Sequence, residues 1–136
     1  MTPGCNIWHL FGGLPILATC AGVILLAVAV RPEQPSLGVL DVDVERNAYG
    51  RQLHSVVTAL ELSPELGGEA RGEGVFIRAP RVTRVGARVR VLARRGADPV
   101  LLWQDRIVAA TYHPELGDDP RVHRLLVRLA AEAGHE

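Results

Sequence analysis

Lysine is absent from this chain, aromatic residues make up only 4% of it, and neither sign of charge prevails. All 15 basic residues are arginines, and 15 acidic residues balance them in a chain of 136. Without lysine, the chain cannot form a Schiff base with a carbonyl substrate. Without excess positive charge, it has no electrostatic footprint for nucleic acid or for an anionic membrane. We therefore expect no nucleic acid and no membrane among its partners.

Cysteine is also scarce. Cys5 and Cys20 are too few for a disulfide framework or a metal-binding set, so the reducing cytoplasm is the expected location. The histidines other than His113 have no metal-ligand spacing around them, and we expect no metal and no cofactor on this chain. These surface or packing histidines are His9, His54, His123 and His135.

Charge is missing altogether from the first part of the chain. No Asp, Glu, Lys or Arg occurs from Met1 to Val30, and Leu14 to Val30 is almost entirely apolar. A signal peptide would need a positive start, and a spanning helix about 20 apolar residues without Pro15 and Gly22 inside it. A membrane anchor remains the alternative, but a buried parallel strand followed by a buried helix explains the same run.

The remaining pattern predicts a single domain, residues 1–136, of alternating strands and turns that ends in one helix. The segment from Ser63 to Gly74 is rich in Gly and Glu and is typical of a solvated loop. Gly96 to Pro99 has the composition of a turn. The predicted strands are Val39–Val44, Leu53–Leu60, Val75–Ala79, Val89–Ala93, Val100–Trp103 and Ile107–Tyr112.

The terminal helix has a clear start and a clear apolar face. Asp118 or Asp119 can cap it, with Pro120 in its first turn. Apolar residues then recur at helical spacing, which predicts a stripe that packs on the domain. These residues are Val122, Leu125, Leu126, Leu129, Ala130 and Ala133.

Cys20 lies between an apolar run that predicts a strand and one that predicts a helix. A nucleophile at such a sharp turn needs small residues two positions away, and here these are Ala18 and Gly22. At the first turn of a helix the macrodipole favours the reactive thiolate. Taken alone, a buried cysteine is more often inert packing, so a partner base is needed to support a catalytic role.

His113 and Glu115 supply that base and its orienting carboxylate. In an extended segment, residues two apart point to the same side, so Glu115 can fix the tautomer of His113 and stabilise its protonated form. Together, Cys20, His113 and Glu115 predict a hydrolase that works through a thioester.

Four segments, in order and spacing, resemble the glutaminase subunits of pyridoxal 5'-phosphate synthase, a family of class I glutamine amidotransferases. They are Pro15–Ala27, Leu37–Gln52, Gly74–Pro80 and Thr111–Leu116. The motifs VERNxxGRQ and VFIRAP within them are specific to this family. The resemblance extends from about Gly13 to about Arg128.

This resemblance implies an α/β fold, the flavodoxin-like three-layer sandwich with a mixed sheet of class I glutamine amidotransferases. It implies that L-glutamine is the substrate. It also implies a hetero-oligomeric complex with a synthase (lyase) subunit, which uses the released ammonia to build pyridoxal 5'-phosphate.

The resemblance also implies a glutamine pocket. Arg46 would bind the α-carboxylate of glutamine through its planar guanidinium, and Ile77 and Arg78 would contribute partly through main chain. Ala21 follows the nucleophile, so its backbone N–H is the expected donor to the oxyanion.

Members of the family begin with about another half-domain, including a Gly-Gly-Glu-Ser loop that gives the second oxyanion donor. Residues 1–13 match neither that loop nor the first strand, so we expect an N-terminally truncated domain with little activity on its own. Either the chain belongs to an ammonia-producing glutaminase, truncated or with a mis-assigned start, or it is an impaired remnant that acts at most as a binding module. Another cysteine hydrolase family would leave the two motifs unexplained.

Overall fold

A computed structural model of the chain describes residues 14–46 and 56–133, which form strands β1 to β9, helices α1 and α2 and two short 3-10 helices. The predicted unmatched segment 1–13, with Cys5 and His9, lies outside the described residues, as do His54 and His135. The strands are β1 Ile16–Thr19, β2 Ala27–Arg31, β3 Leu40–Glu45, β4 Val56–Leu62, β5 Arg71–Phe76, β6 Arg81–Val85, β7 Arg90–Arg95, β8 Asp98–Gln104 and β9 Ile107–Ala110. The helices are α1 Ala21–Leu26 and α2 Arg121–Ala133, with 3-10 turns at Pro64–Leu66 and Pro114–Leu116.

The larger of two sheets has six described strands in the order β1-β9-β8-β7-β4-β5. It is mixed, because β1 runs parallel to β9 while the other described pairs of neighbouring strands in this sheet are antiparallel. The smaller sheet has the order β2-β3-β6. The parallel pairing aligns Thr19 with Ala110, and the N–H of Cys20 donates to the Ala110 carbonyl at 2.9 Å. Residues that follow β1 and β9 therefore meet at one edge of the sheet.

Two hydrophobic cores lie on the two faces of the larger sheet. One forms against α2, and the other forms against α1 and the smaller sheet. Successive residues of β8 point to opposite faces, so Leu101 belongs to the first core and Leu102 to the second, and both are fully buried. This three-layer α/β arrangement confirms the predicted fold class.

Gln104, only 2% exposed, joins the two sheets at the end of β8. Its Oε1 accepts the N–H of Asp41 and its Nε2 donates to the Val39 carbonyl, both at 2.8 Å. Both ends of the buried amide are therefore paired, as burial of a polar group requires.

The apolar run after Cys20 is helical only as far as Leu26, and the prediction of a strand followed by one buried helix is wrong for its second part. Ala27 has extended backbone, and Ala27–Arg31 pairs in parallel with β3. The segment contains Val28, which is exposed, and Val30, which is buried. Both valines suit a strand because β-branched side chains pack well on a pleated surface.

The predicted loop from Ser63 to Gly74 is also wrong in its second half. Arg71 to Gly74 already belongs to β5, where Gly72 pairs with Leu60 and Gly74 with Thr58 of β4. The glycines favour a loop in a prediction from sequence, but pairing with β4 makes this segment a strand.

Other strand ends differ by a few residues. The strand predicted for Val75–Ala79 ends at Phe76, and the one predicted to reach Tyr112 ends at Ala110. The turn predicted for Gly96–Pro99 is confined to its first two residues, because Asp98 and Pro99 open β8. β6 was not predicted.

Helix α2 confirms its prediction. Asp119 Oδ1 accepts the N–H of Arg121 at 3.0 Å, which identifies Asp119 as the capping residue, and the N–H of Arg124 donates to the Pro120 carbonyl. The buried residues of the stripe are Val122, Leu125 and Leu129. Within the two described ranges, no helix is long and apolar enough to cross a membrane.

Candidate functional site

Cys20 occupies a strained strand-to-helix turn between β1 and α1. Its backbone has φ 50° and ψ −108°, a conformation that side chains with a Cβ rarely adopt. A Cβ on Gly22 would lie 3.3 Å from the Cβ of Ala18, closer than most such contacts. The two small neighbours are thus required by the turn, as the sequence predicts.

The thiol of Cys20 is half-buried against the segment that follows β5. Its Sγ lies 3.4 Å from the Ile77 carbonyl oxygen, to which it can donate, and 4.0 Å from that of Arg78. Burial is the largest influence and raises the pKa of Cys20; a hydrogen bond from the Ala21 N–H opposes it, and the negative charge of Glu115 adds to it. The helix start acts in the expected direction through the Ala21 N–H, but burial outweighs it and the pKa of Cys20 stays above its ordinary value.

His113 and Glu115 form the predicted pair, with 2.6 Å between His113 Nδ1 and Glu115 Oε1. The backbone that produces the contact is not an extended strand, however. His113 caps a 3-10 turn that begins at the buried Pro114, and Glu115 lies inside that turn. The tight turn, rather than a period of two, brings the side chains together.

Glu115 is poised as a carboxylate. Desolvation is the largest single influence and acts to raise its pKa, but hydrogen bonds from its own backbone N–H and from His113 together hold the pKa of Glu115 below its ordinary value. An ionised Glu115 accepts from Nδ1–H of His113. Nε2 is then the ring nitrogen that is free to take a proton.

The end of β5 holds both halves of the site. The N–H of His113 donates to the Val75 carbonyl at 2.9 Å, and two residues later the Ile77 carbonyl faces Cys20. The parallel pairing of β1 with β9 brings the chain segments that carry Cys20 and His113 to the same edge. Neither main-chain contact has a signal in side-chain identity, so the sequence does not predict the role of Val75.

The predicted pocket residues fall in two places. Ile77 and the exposed Arg78, whose φ is 47°, lie directly beside the thiol, and Ala21 is exposed next to it. Arg46 directly follows β3 of the smaller sheet, and its N–H donates to the Arg31 carbonyl at 2.7 Å. Its Nε is buried and has no hydrogen-bond partner among the described residues. The structure thus joins Ile77 and Arg78 to Cys20, but gives no contact between Arg46 and the cysteine.

Metal ligation finds no support in the described part of the chain, which holds no cluster of three or more His, Cys, Asp or Glu arranged around a common point.

The structure is thus a three-layer α/β fold in which Cys20, on a strained turn, and the His113–Glu115 pair follow the adjacent strands β1 and β9. The chain belongs to the SNO glutamine amidotransferase family, whose sequence profile matches residues 10–132. The resemblance inferred from the four motif segments is confirmed.

Curated relatives and a solved structure agree with this assignment. The chain is 51% identical over 118 residues to the pyridoxal 5'-phosphate synthase subunit PdxT of Thermotoga neapolitana, covering 86% of this chain and 62% of the relative. It is 50% identical over 121 residues to the PdxT subunit of Thermus thermophilus, covering 88% and 61%. A crystal structure of a glutamine amidotransferase superposes with a TM-score of 0.76 at 48% identity, over 91% of this chain and 65% of that one. The chain therefore spans about three fifths of the length of the curated relatives it matches.

Proposed function

We propose that this chain carries the catalytic centre of a glutaminase that releases ammonia from L-glutamine for pyridoxal 5'-phosphate synthesis. The observation that carries the proposal is the 2.6 Å His113–Glu115 contact at the end of β9, on the same sheet edge as the strained Cys20 turn. The family assignment and the names of the relatives support it.

In the first half-reaction, His113 Nε2 takes the proton of the Cys20 thiol, and Sγ attacks the side-chain amide carbon of glutamine. Burial raises the pKa of Cys20, so the thiol needs a base to become a nucleophile, and His113 is that base. The Ala21 N–H donates to the oxyanion, and such a donor is worth about 10²- to 10³-fold in rate. Glu115 stabilises the imidazolium that forms.

To complete the first half, His113 returns its proton to the nitrogen, the C–N bond breaks, and ammonia leaves behind a thioester, whose hydrolysis is the second half. Water then attacks the thioester carbonyl while His113 accepts one of its protons. The C–S bond breaks, glutamate departs, and the proton on His113 restores the thiol. Glu115 keeps the imidazole in one tautomer through both halves.

The α-carboxylate of glutamine is assigned to Arg46. Its buried Nε has no hydrogen-bond partner among the described residues, and a carboxylate of the substrate would supply one. The main chain of Ile77 and Arg78, which already faces the thiol, would contact the rest of the substrate.

The relatives are named as subunits of a synthase, so we propose that ammonia passes to a synthase (lyase) subunit in a hetero-oligomeric complex. No cofactor takes part in the steps above. A nucleophile that must remain a thiol suits the reducing cytoplasm, which we propose as the location.

The direct test is labelling with a diazoketone analogue of glutamine, followed by mass spectrometry. We expect one label on Cys20, none in Cys20→Ala, and unchanged labelling in the matched control Cys5→Ala. The analogue requires both a reactive thiol and a glutamine pocket. Equal labelling of both cysteines would refute the assignment.

A further inference from the structure

Gly74 on β5 lies against the residue that precedes His113. Gly74 is buried, and a Cβ at this position would lie 3.1 Å from both Cγ and Cδ2 of Tyr112 and 3.1 Å from Cδ1 of Leu60. The leucine methyl is the end of a flexible side chain and can move aside. The Cγ of Tyr112 is one bond from its own Cβ, so it moves only if the side chain rotates or the backbone shifts.

Tyr112 has little freedom to move away. It is 4% exposed, and its ring packs against the fully buried Phe76 with centroids 5.6 Å apart. The guanidinium of Arg95 lies 4.6 Å from the centroid of the Phe76 ring and packs against it. The cavity beside Tyr112 is only about 20 Å³ and cannot receive a displaced ring.

The next residue pair along the two segments is Val75 and His113, which are joined by the 2.9 Å main-chain hydrogen bond. Gly74 contacts the Tyr112 ring, and the next residue, Val75, is hydrogen-bonded to His113. The two contacts therefore hold consecutive residues of both segments. We infer that Gly74 and Tyr112 are positioning residues, which set the place of the His113 imidazole through close packing. This inference rests on the proposed function, because it assigns the pair a part in that reaction.

The effect on chemistry follows from distance. His113 must keep Nδ1 on Glu115, at 2.6 Å, while Nε2 serves Cys20. A methyl group at position 74 would push the tyrosine and shift the imidazole with it. The 3.1 Å contact requires the ring to give by a few tenths of an ångström, whereas a misplacement near 1 Å in a catalytic group costs about a hundredfold in rate, so a smaller loss is expected.

The test variant is Gly74→Ala, with two matched controls. In Gly72→Ala, on the same strand, the new Cβ would meet the flexible end of Leu62 at 2.9 Å. In Gly117→Ala, close to the site, its nearest neighbour would be the Pro114 carbonyl at 3.9 Å, and the backbone φ of −104° is ordinary. The first control measures strain in β5 without contact to Tyr112, and the second measures a methyl group near His113.

The first readout is the low-field proton resonance of His113 Nδ1–H in NMR, which needs no substrate. We expect it to shift or broaden in Gly74→Ala and to stay in place in both controls. Where ammonia release is measured on the chain extended to the length of its relatives, with the synthase subunit present, kcat of Gly74→Ala should fall by about twofold to tenfold, with KM little changed. An unchanged resonance in a folded Gly74→Ala protein, or an equal shift in Gly72→Ala, would overturn the inference.

The second readout is a double-mutant cycle with Tyr112→Ala. Once the ring is gone, Gly74→Ala should have little further effect on the resonance, since the group it presses on is absent. Additive effects would overturn the inference. If Gly74→Ala does not fold, Tyr112→Leu should shift the His113 resonance and Tyr112→Phe should leave it unchanged. A shift in Tyr112→Phe without one in Tyr112→Leu would overturn the inference. The resonance measurements need no turnover, so the expected resonance shifts without glutaminase activity would count against the proposed function alone.

Discussion

The site edge of the larger sheet and the α2 side of the same sheet are built in opposite ways. At the site edge, Cys20 and Arg78 have positive φ, and main-chain carbonyls of Val75 and Ile77 hold the reactive groups. On the α2 side, a regular helix packs an apolar stripe into the core, and its start is capped by Asp119. Two of the three described non-glycine residues with positive φ thus lie where chemistry is proposed, and the third, Asp105, lies in the turn between β8 and β9.

This difference predicts two kinds of variant. Changes at the site edge should alter kinetics and leave the free energy of unfolding nearly unchanged, because the groups involved are partly exposed. The rest of the molecule, with α2 and the Gln104 junction between the two sheets, is called the frame. Changes in the frame should lower the free energy of unfolding and leave the reactivity of Cys20 unchanged.

The largest effect on the site side is expected for Glu115→Gln. It removes the charge that stabilises the imidazolium and should lower turnover by about tenfold to a thousandfold. Turnover and KM, here and below, refer to the chain extended to the length of its relatives. It also removes a negative charge that raises the pKa of Cys20, so the midpoint of Cys20 alkylation by iodoacetamide should move to lower pH. Stopped-flow alkylation against pH and an ammonia assay measure the two effects. A lower turnover with an unmoved midpoint would show that Glu115 acts on His113 alone.

Arg46→Ala should act differently. A carboxylate clamp contributes to substrate and transition state alike, so KM for glutamine should rise by about tenfold or more while kcat changes little. The control is Arg78→Ala, whose proposed contact with substrate is partly main chain and which should change KM less. A fall in kcat at constant KM would remove Arg46 from the pocket.

On the frame side, Gln104→Leu should give the largest loss of stability. It would leave the Asp41 N–H and the Val39 carbonyl buried without partners, at a cost of about 2 to 3 kcal/mol in the free energy of unfolding. Urea denaturation measures it, with the exposed Val127→Ala as the control. If the loss is real but Cys20 labelling is unchanged, the two regions are separable. A parallel loss of labelling would show that the sheet junction also holds the site.

The same division between the site edge and the α2 side separates the features that the sequence predicts from those that it does not. The stripe from Val122 to Leu129, Asp119 and Pro120 specify α2 locally, so the helix was predicted almost to the residue. The triad residues could also be chosen, because residue type and motif carry the signal. The strand character of Arg71–Gly74 could not, since it depends on pairing with β4, and the contacts of the Val75 and Ile77 carbonyls belong to backbone atoms that every residue shares.

The smallest expected effect separates two adjacent aspartates. Asp119→Ala removes the acceptor for the Arg121 N–H and the partner of its guanidinium, and the loss of a helix cap costs about 1 kcal/mol. Because the pKa of Asp119 is lowered, chiefly by its hydrogen bond with Arg121, its stabilising contribution is present at neutral pH and is lost as the pH falls through that lowered value. The exposed Asp118→Ala should change the free energy of unfolding little. The two variants should therefore differ at pH 7 and converge in acid, as urea denaturation at several pH values would measure. Equal stability at pH 7 would mean that α2 is held by its apolar stripe alone, and that the regular side of the sheet depends on packing without help from its cap.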